Sequence, residues 1–209
     1  MKDVYEMKGR KRLNKEQQFK PLSTTIVLIF LFYILHSIIT IIEMIALANS
    51  GVEGIVYFCI GLGLVTFSFI LTVALHEIGH LVIGGLVGYK LKEMTLGPIK
   101  FTRGDDGFRL QFQVNENKFG AIQMESVNDK YMQVKDVFYS LGGIILNFVS
   151  AIIALALFLQ GDNYFANIFF QSLFMINLLF FLVNSIPARY GERYTDGFWL
   201  YHAVKRMTQ

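Results

Sequence analysis

Two long stretches of this chain contain neither lysine nor arginine, although its 209 residues include 19 of these basic residues. The stretches are residues 21–89 and 136–188, which are 69 and 53 residues long. Because about 20 apolar residues cross a bilayer as a helix, each stretch is long enough for two crossings. We therefore predict four membrane-spanning helices, at residues 22–48, 54–88, 138–160 and 164–186.

The composition and the placement of charge agree with a membrane protein. Hydrophobic residues make up 54% of the chain, charged residues make up 17%, and the mean hydropathy is +0.46. All basic residues fall within residues 1–20, 90–135 and 189–206. Four crossings place these three clusters on one side of the membrane, which the positive-inside bias identifies as the cytoplasm. Membrane orientation thus explains the net charge of +3, and we predict no nucleic-acid partner.

The first predicted span has the length of a retained membrane anchor. A basic segment precedes it, as in a signal peptide, but its apolar run from Leu22 to Ala48 has 27 residues. The apolar part of a signal peptide is shorter, at about 7–15 residues. We interpret the two ionisable residues of this span, His36 and Glu43, as packing or interfacial groups.

The region between the second and third spans predicts β-structure. Residues 108–114 alternate apolar and polar side chains, and residues 99–103 alternate in the same way. The Gly-Asp-Asp-Gly sequence at 104–107 is typical of a turn, so the two segments form a hairpin.

The predicted fold is an all-α membrane protein with four transmembrane helices and a small cytoplasmic β-hairpin insertion. Both chain termini are expected in the cytoplasm. The segments outside the helices are a basic N-terminal segment at 1–21, the hairpin region at 89–137 and a tail at 187–209.

Residues 76–80, in the second predicted span, have the sequence His-Glu-Ile-Gly-His. His76 and His80 are four residues apart and therefore lie on one face of a helix, where both can bind one metal ion. Glu77 beside them can accept a proton from metal-bound water. The single cysteine of the chain excludes a cysteine-based zinc site, but a catalytic zinc ion still takes a third protein ligand. The tail returns to the same side of the membrane and offers three candidates: Glu192, Asp196 and His202.

Four segments of the sequence between about residues 70 and 200 form a recognisable set: Ala-Leu-His-Glu-Ile-Gly-His at 74–80, Leu-Gly-Pro-Ile at 96–99, Gly-Gly-Ile-Ile-Leu-Asn at 142–147, and Asn-Ser-Ile-Pro at 184–187 leading to Asp-Gly at 196–197. With these segments the sequence resembles the site-2 protease family of intramembrane zinc metalloproteases. The resemblance implies that Asp196 is the third zinc ligand, that Glu77 is the general base, and that Asn147 is a polar group near the substrate or the developing oxyanion.

The same resemblance implies an activity and a location. We expect a zinc endopeptidase, with one Zn²⁺ per chain, that cleaves a membrane-spanning or membrane-anchored polypeptide near the cytoplasmic side of the bilayer. The hairpin could hold the substrate extended by adding it as a strand to a free sheet edge. The small size is similar to that of a minimal prokaryotic member, so the plasma membrane is the expected location.

Several of these residues also have a structural interpretation. Asp196 could act as the N-cap of a short amphipathic helix at 197–207. Asn147 and Asn184 could form hydrogen bonds between helices. His202 could substitute as a zinc ligand, although it is better explained as a surface residue of the short helix, and Cys59 is interpreted as a small hydrophobic residue.

Two other functions remain open at this point. A Ste24-like membrane metalloprotease would pair the same histidines with a downstream Glu-x-x-x-Asp sequence, and Glu125 and Asp129 have that spacing. A non-catalytic membrane protein that binds a peptide or confers immunity would use the histidine motif structurally, if at all.

Overall fold

The computed structural model describes residues 38, 40–42, 45, 46, 52–104, 107–112, 120–128, 130–190 and 193–208. The first predicted span, 22–48, lies almost entirely outside these residues, and so do His36 and Glu43. In chain order, the described helices and strands are α1 Val52–Leu86, β1 Tyr89–Leu96, β2 Ile99–Gly104, β3 Gly107–Phe112, β4 Gly120–Ser126, α2 Met132–Gln160, α3 Tyr164–Ser185, β5 Arg189–Tyr190, β6 Arg193–Tyr194 and α4 Asp196–Met207.

Three helices, α1, α2 and α3, are long and apolar enough to cross a membrane, which makes this a multi-pass membrane protein. They correspond to the second, third and fourth predicted spans. The 35 residues of α1 extend over about 52 Å, more than the thickness of a bilayer core. Three successive crossings place the end of α1, the start of α2 and the end of α3 at the same membrane face. The sheet and helix α4 therefore also lie at that face.

The bundle buries polar side chains and exposes apolar ones. Ser68, Thr72, His76 and His80 follow one another at four-residue intervals along α1, and all four are buried. Exposed positions on the same helix carry large apolar residues such as Phe67 and Ile70. This distribution is the one expected of helices that face lipid outward and pack polar groups inward.

Small residues let the backbones of α1 and α2 approach closely. Gly79 of α1 faces Gly142 of α2, and a Cβ atom added at Gly142 would lie 2.5 Å from the carbonyl oxygen of Gly79. Small residues are common where membrane helices cross. Close packing, rather than the hydrophobic effect, drives the association of helices within a bilayer. The face of α2 toward the bundle is accordingly made largely of small residues: Ser140, Gly142, Gly143, Ala151 and Ala154.

The β-structure is larger than the sequence predicts. The predicted hairpin is present as β2 and β3, but it is half of a four-stranded antiparallel sheet with the order β3-β2-β1-β4. Strand β1 pairs with β2 on one side and with β4 on the other, and a register shift lies between Leu91 and Glu93. The fold is therefore mostly helical with an antiparallel sheet, rather than all-α with a single hairpin. The bulge explains why β1 is hard to recognise, because it interrupts the two-residue period on which a strand prediction relies.

Replacing Gly142 with alanine should destabilise the bundle, because the new methyl group would meet the Gly79 backbone. Overpacking costs about 1–3 kcal/mol, which outweighs the gain of up to about 1 kcal/mol in helix propensity. Thermal unfolding of the purified protein in detergent measures the change. Gly63→Ala is the matched control, since a Cβ at Gly63 has no neighbour within 4 Å. Equal midpoints for the two variants would contradict the close packing.

Candidate metal centre

His76 and His80 enter the bundle from the C-terminal half of α1. Their four-residue spacing places both rings on the helix face that turns toward α2, and both residues are buried. The ring centroids are 4.8 Å apart, and the Nε2 atoms lie 3.3 Å from each other. The two imidazoles therefore direct one nitrogen each at a common point.

Asp196 reaches the same point from the other end of the described chain. It is the first residue of α4, and the N-cap is its neighbour Thr195, whose hydroxyl oxygen accepts a hydrogen bond from the Phe198 N–H. The expectation that Asp196 might cap the helix is therefore wrong. Because Thr195 provides the cap, the Asp196 carboxylate is available to the histidines.

Hydrogen bonds to Ile186 and Ala188 hold Thr195, and with it Asp196, against the end of α3. The Thr195 hydroxyl donates to the carbonyl oxygen of Ile186 at 2.6 Å and accepts from the N–H of Ala188 at 2.9 Å. Gly197 lies against the backbone of Ser185 so closely that a Cβ atom there would collide with its carbonyl group. The glycine after Asp196 therefore permits the contact that brings the aspartate to the site.

The far end of α4 is anchored to the bundle as well. Arg206 donates to Asp136 of α2 at 2.9 Å, and the hydroxyl of Tyr89 donates to the other oxygen of the same carboxylate at 2.6 Å. Burial, together with the hydrogen bond to Asp136, raises the pKa of the Tyr89 hydroxyl, so this tyrosine stays protonated as a donor. Both ends of α4 are thus fixed, which limits the positions open to Asp196.

The three side chains form a compact donor group. One oxygen of Asp196, Oδ2, lies 3.0 Å from Nε2 of His76 and 3.2 Å from Nε2 of His80. Burial alone would raise the pKa of Asp196, but the hydrogen bonds from His76 and His80 outweigh it and hold the pKa well below its usual range. The carboxylate is therefore ionised. Among the described residues, this is the group of His, Cys, Asp and Glu side chains that could hold a metal ion.

Helix α2 provides the surroundings of the two imidazoles. Nδ1 of His80 donates to the carbonyl oxygen of Tyr139 at 2.7 Å, and the amide nitrogen of Asn147 lies 3.2 Å from Nδ1 of His76. Between them stands Gly143, where a Cβ atom would lie 2.5 Å from His76 and 2.6 Å from His80. Any side chain at this position would displace the rings, so glycine makes room for the histidine pair.

Glu77 is buried beside the donor group and faces the sheet. A Cβ atom added at Gly120, the first residue of β4, would lie 3.0 Å from Oε1 of Glu77. The Glu77 carboxylate also interacts electrostatically with His76, His80 and Asp196. Residues of helix α1, helix α4 and strand β4 therefore surround the Glu77 carboxylate.

The other candidates lie elsewhere or outside the described residues. His202 is not part of the donor group, and its ring packs against Phe198 and Tyr201. Asn184 donates to the carbonyl oxygen of Phe180 in its own helix, as a structural residue would. Glu192 lies outside the described residues.

The Glu125 alternative is not supported by the structure. Glu125 accepts a hydrogen bond from Lys92 at 2.6 Å on an exposed part of the sheet, and it is not in the donor group that the described residues form. Its partner in the Glu-x-x-x-Asp sequence, Asp129, is not described.

Sequence reasoning missed the contributions of Tyr139, Gly120 and Thr195. Tyr139 acts through its backbone carbonyl, which leaves no residue-specific signal. Gly120 follows a segment with no strand pattern, so its approach to Glu77 could not be anticipated. Thr195 did carry a signal, since threonine before an acidic residue at the start of an amphipathic helix is a typical N-cap.

A His-Glu-x-x-His helix with an aspartate as a third donor, set among apolar helices, is the arrangement of a membrane-embedded metallopeptidase. The family model described as peptidase family M50 matches residues 64–186, which is more than half of the chain. The chain belongs to peptidase family M50, the family of the site-2 proteases. No curated protein and no solved structure matches it. The matched segment ends before Asp196, so the structure contributes the third donor independently.

Removing the Asp196 carboxylate should abolish tight metal binding, because only two imidazoles would remain. We expect the Asp196→Ala protein to contain much less than one metal ion per chain, against about one in the wild type, as measured by elemental analysis after dialysis. Glu125→Ala is the control and should keep the wild-type content. Loss of metal in Glu125→Ala with retention in Asp196→Ala would contradict the assignment and support the Ste24-like alternative.

Proposed function

We propose that this protein is a zinc-dependent intramembrane endopeptidase that cleaves a membrane-spanning or membrane-anchored polypeptide near the cytoplasmic face of the bilayer. The observation that carries the proposal is the buried group of His76, His80 and Asp196, with Glu77 beside it, at the end of a helix long enough to cross the membrane. Membership of peptidase family M50 supports the reaction class.

The donor group fits zinc in both chemistry and spacing. Two ligands of a tetrahedral ion with bonds of about 2.0–2.1 Å lie about 3.3 Å apart. The three donor atoms are separated by 3.0, 3.2 and 3.3 Å. Imidazole nitrogen and carboxylate oxygen are ordinary zinc ligands, and three of them leave one position for water, as catalytic zinc sites require.

When bound, zinc supplies an acidified water molecule and polarises the scissile carbonyl group. Glu77 then accepts the proton of the attacking water and delivers it to the leaving amine nitrogen. Its position next to His76 in the helix keeps its carboxylate at the donor group. The surrounding apolar helices exclude bulk water, which strengthens the electrostatic interactions of these groups.

The location of the site at one membrane face restricts the kind of substrate. A peptide bond within a membrane helix is protected by the hydrogen bonds of the helix, so the substrate must unwind before cleavage. The sheet and α4 lie at the same face as the donor group, where an unwound segment could leave the bilayer. The positive-inside distribution of lysine and arginine assigns this face to the cytoplasm.

Strand β4 is the sheet edge best placed to receive an extended substrate. It pairs with β1 on one side, and no described strand pairs with its other side. Its first residue, Gly120, lies against Glu77. Strand β3, the edge of the hairpin, is three strands away, or about 14 Å at ordinary strand spacing. Substrate addition to β4, rather than to the hairpin edge, therefore brings a peptide bond to the catalytic carboxylate.

The Glu77→Gln variant tests the reaction chemistry. Glutamine keeps the shape of the side chain but cannot accept a proton, so we expect cleavage to slow by about 10²–10⁴-fold while the metal content is unchanged. The assay uses the protein reconstituted with a single-span reporter helix that carries a glycine-rich segment near its cytoplasmic end, and mass spectrometry detects the fragments. Glu125→Gln is the exposed control. Wild-type cleavage by Glu77→Gln would favour a non-catalytic binding or immunity protein.

Proline substitution on the two sheet edges tests the substrate position. Successive N–H groups of an edge strand point to opposite sides, so single prolines are placed at both Ile122 and Gln123 of β4. Loss of one main-chain hydrogen bond to substrate should raise KM by about 2- to 10-fold in at least one variant. The matched controls are prolines at Leu110 and Gln111 of β3, which should leave KM unchanged. An effect limited to β3 would locate the substrate at the hairpin, and no effect on either edge would mean that the sheet only covers the site.

A further inference from the structure

The side chain of Asn147 contacts His76 at the ring nitrogen that faces away from the donor group. Its amide nitrogen lies 3.2 Å from Nδ1 of His76, whereas Nε2 of the same ring faces Asp196. We propose that Asn147 is a positioning residue, whose amide oxygen accepts a hydrogen bond from Nδ1–H of His76 and thereby keeps Nε2 free to bind the metal. The inference rests on the proposed zinc site, and it replaces the expectation that Asn147 serves the substrate or the oxyanion.

The chemistry of imidazole requires such an acceptor. A neutral histidine carries one ring proton, and the nitrogen that binds a metal must be the one without it. If Nε2 of His76 is the ligand, Nδ1 carries the proton, and because the ring is buried this proton needs an acceptor within the protein. Metal-binding histidines ordinarily donate this proton to a carbonyl or carboxylate oxygen.

The Asn147 side chain has an acceptor to offer. The residue is completely buried, and its oxygen Oδ1 has no hydrogen-bond partner among the described residues. A half-turn of the amide group about the Cβ–Cγ bond exchanges Oδ1 and Nδ2 with almost no change in shape. After this turn, Oδ1 faces the protonated Nδ1 of His76. The turn pairs the ring proton with the oxygen, and it moves Nδ2 to the position that Oδ1 held.

The neighbouring histidine is held in the equivalent way. Nδ1 of His80 donates to the backbone carbonyl of Tyr139 at 2.7 Å, so in the neutral ring the proton is on Nδ1 and Nε2, which faces Asp196, is the nitrogen that can bind a metal. Tyr139, Gly143 and Asn147 are spaced by four residues and lie on one face of α2. Along this face, the carbonyl oxygen of Tyr139 faces His80, and Gly143 leaves space for both rings. In the proposed arrangement, the amide oxygen of Asn147 faces His76.

A second buried asparagine provides a comparison. Asn177 of α3 is also completely buried, and its Oδ1 is also without a partner. Its amide nitrogen donates to the hydroxyl of Thr72 at 2.9 Å and to the carbonyl oxygen of Leu173 at 2.8 Å. Asn177 therefore joins α3 to α1 through Thr72, and it is the matched control for burial and for loss of an amide.

The test compares the zinc affinity of three variants in the full-length protein: Asn147→Leu, Asn147→Asp and Asn177→Leu. Affinity is measured by competition with a chromogenic chelator in detergent, and thermal unfolding checks that each variant is folded. We expect Asn147→Leu to bind zinc about 10- to 100-fold more weakly than the wild type. Asn147→Asp restores an acceptor oxygen and should bind at least as tightly as the wild type, and Asn177→Leu should bind like the wild type.

A measurement without mutation complements the variants. In the zinc-loaded wild-type protein labelled with ¹⁵N-histidine, nuclear magnetic resonance should show the His76 proton on Nδ1 and the metal on Nε2. A proton on Nε2 would overturn the inference even if Asn147→Leu failed to fold.

Three other outcomes are decisive. Unchanged zinc affinity in Asn147→Leu, with altered KM or kcat, would overturn the positioning role and return Asn147 to the substrate. Equal losses of affinity in Asn147→Leu and Asn177→Leu, or no rescue by Asn147→Asp, would reduce the role to helix packing. A wild-type protein that binds no zinc would overturn the proposed function itself.

Discussion

The structure depends on keeping two imidazoles and a carboxylate in contact inside a bundle of apolar helices. Both histidines are buried, so their polar atoms depend mainly on partners within the protein. His76 and His80 share one oxygen of Asp196, and their remaining ring nitrogens both lie against helix α2. The donor group and the helix packing are consequently interdependent, because moving any one helix would leave a buried polar group without its partner.

Glycine residues determine how closely the elements around the site can approach. Gly142 and Gly143 bring α2 to α1 and to the histidine rings, Gly197 brings α4 to the end of α3, and Gly120 brings the sheet to Glu77. Each of these glycines lies where a Cβ atom would collide with a neighbouring element. Gly142 and Gly197 meet a neighbouring backbone, whereas Gly143 and Gly120 meet side chains of the site, so the absence of a side chain at these positions sets the dimensions of the site.

The sequence predicts the three spans that the structure describes, and the first two donors, for physical reasons. Charge depletion and a four-residue histidine spacing are properties of local sequence that survive in the folded chain. The four-stranded sheet was only half predicted, because the register shift between Leu91 and Glu93 obscures β1. Among the candidates in the tail, sequence spacing alone could not select Asp196. That choice depends on the hydrogen bonds of Thr195 with Ile186 and Ala188, which join the end of α3 to the start of α4 and have no signature in local sequence.

The polar ladder along α1 has a consequence for how this helix must sit in the bilayer. Ser68, Thr72, His76 and His80 occupy one narrow face, whereas the opposite faces are apolar. Successive residues are about 100° apart around a helix, so a slip by a single position would turn all four polar groups toward lipid at once. Four residues at successive depths in the membrane therefore favour the same rotation of α1 about its axis. The orientation of His76 and His80 is therefore fixed in part by Ser68 and Thr72, which take no part in the proposed chemistry.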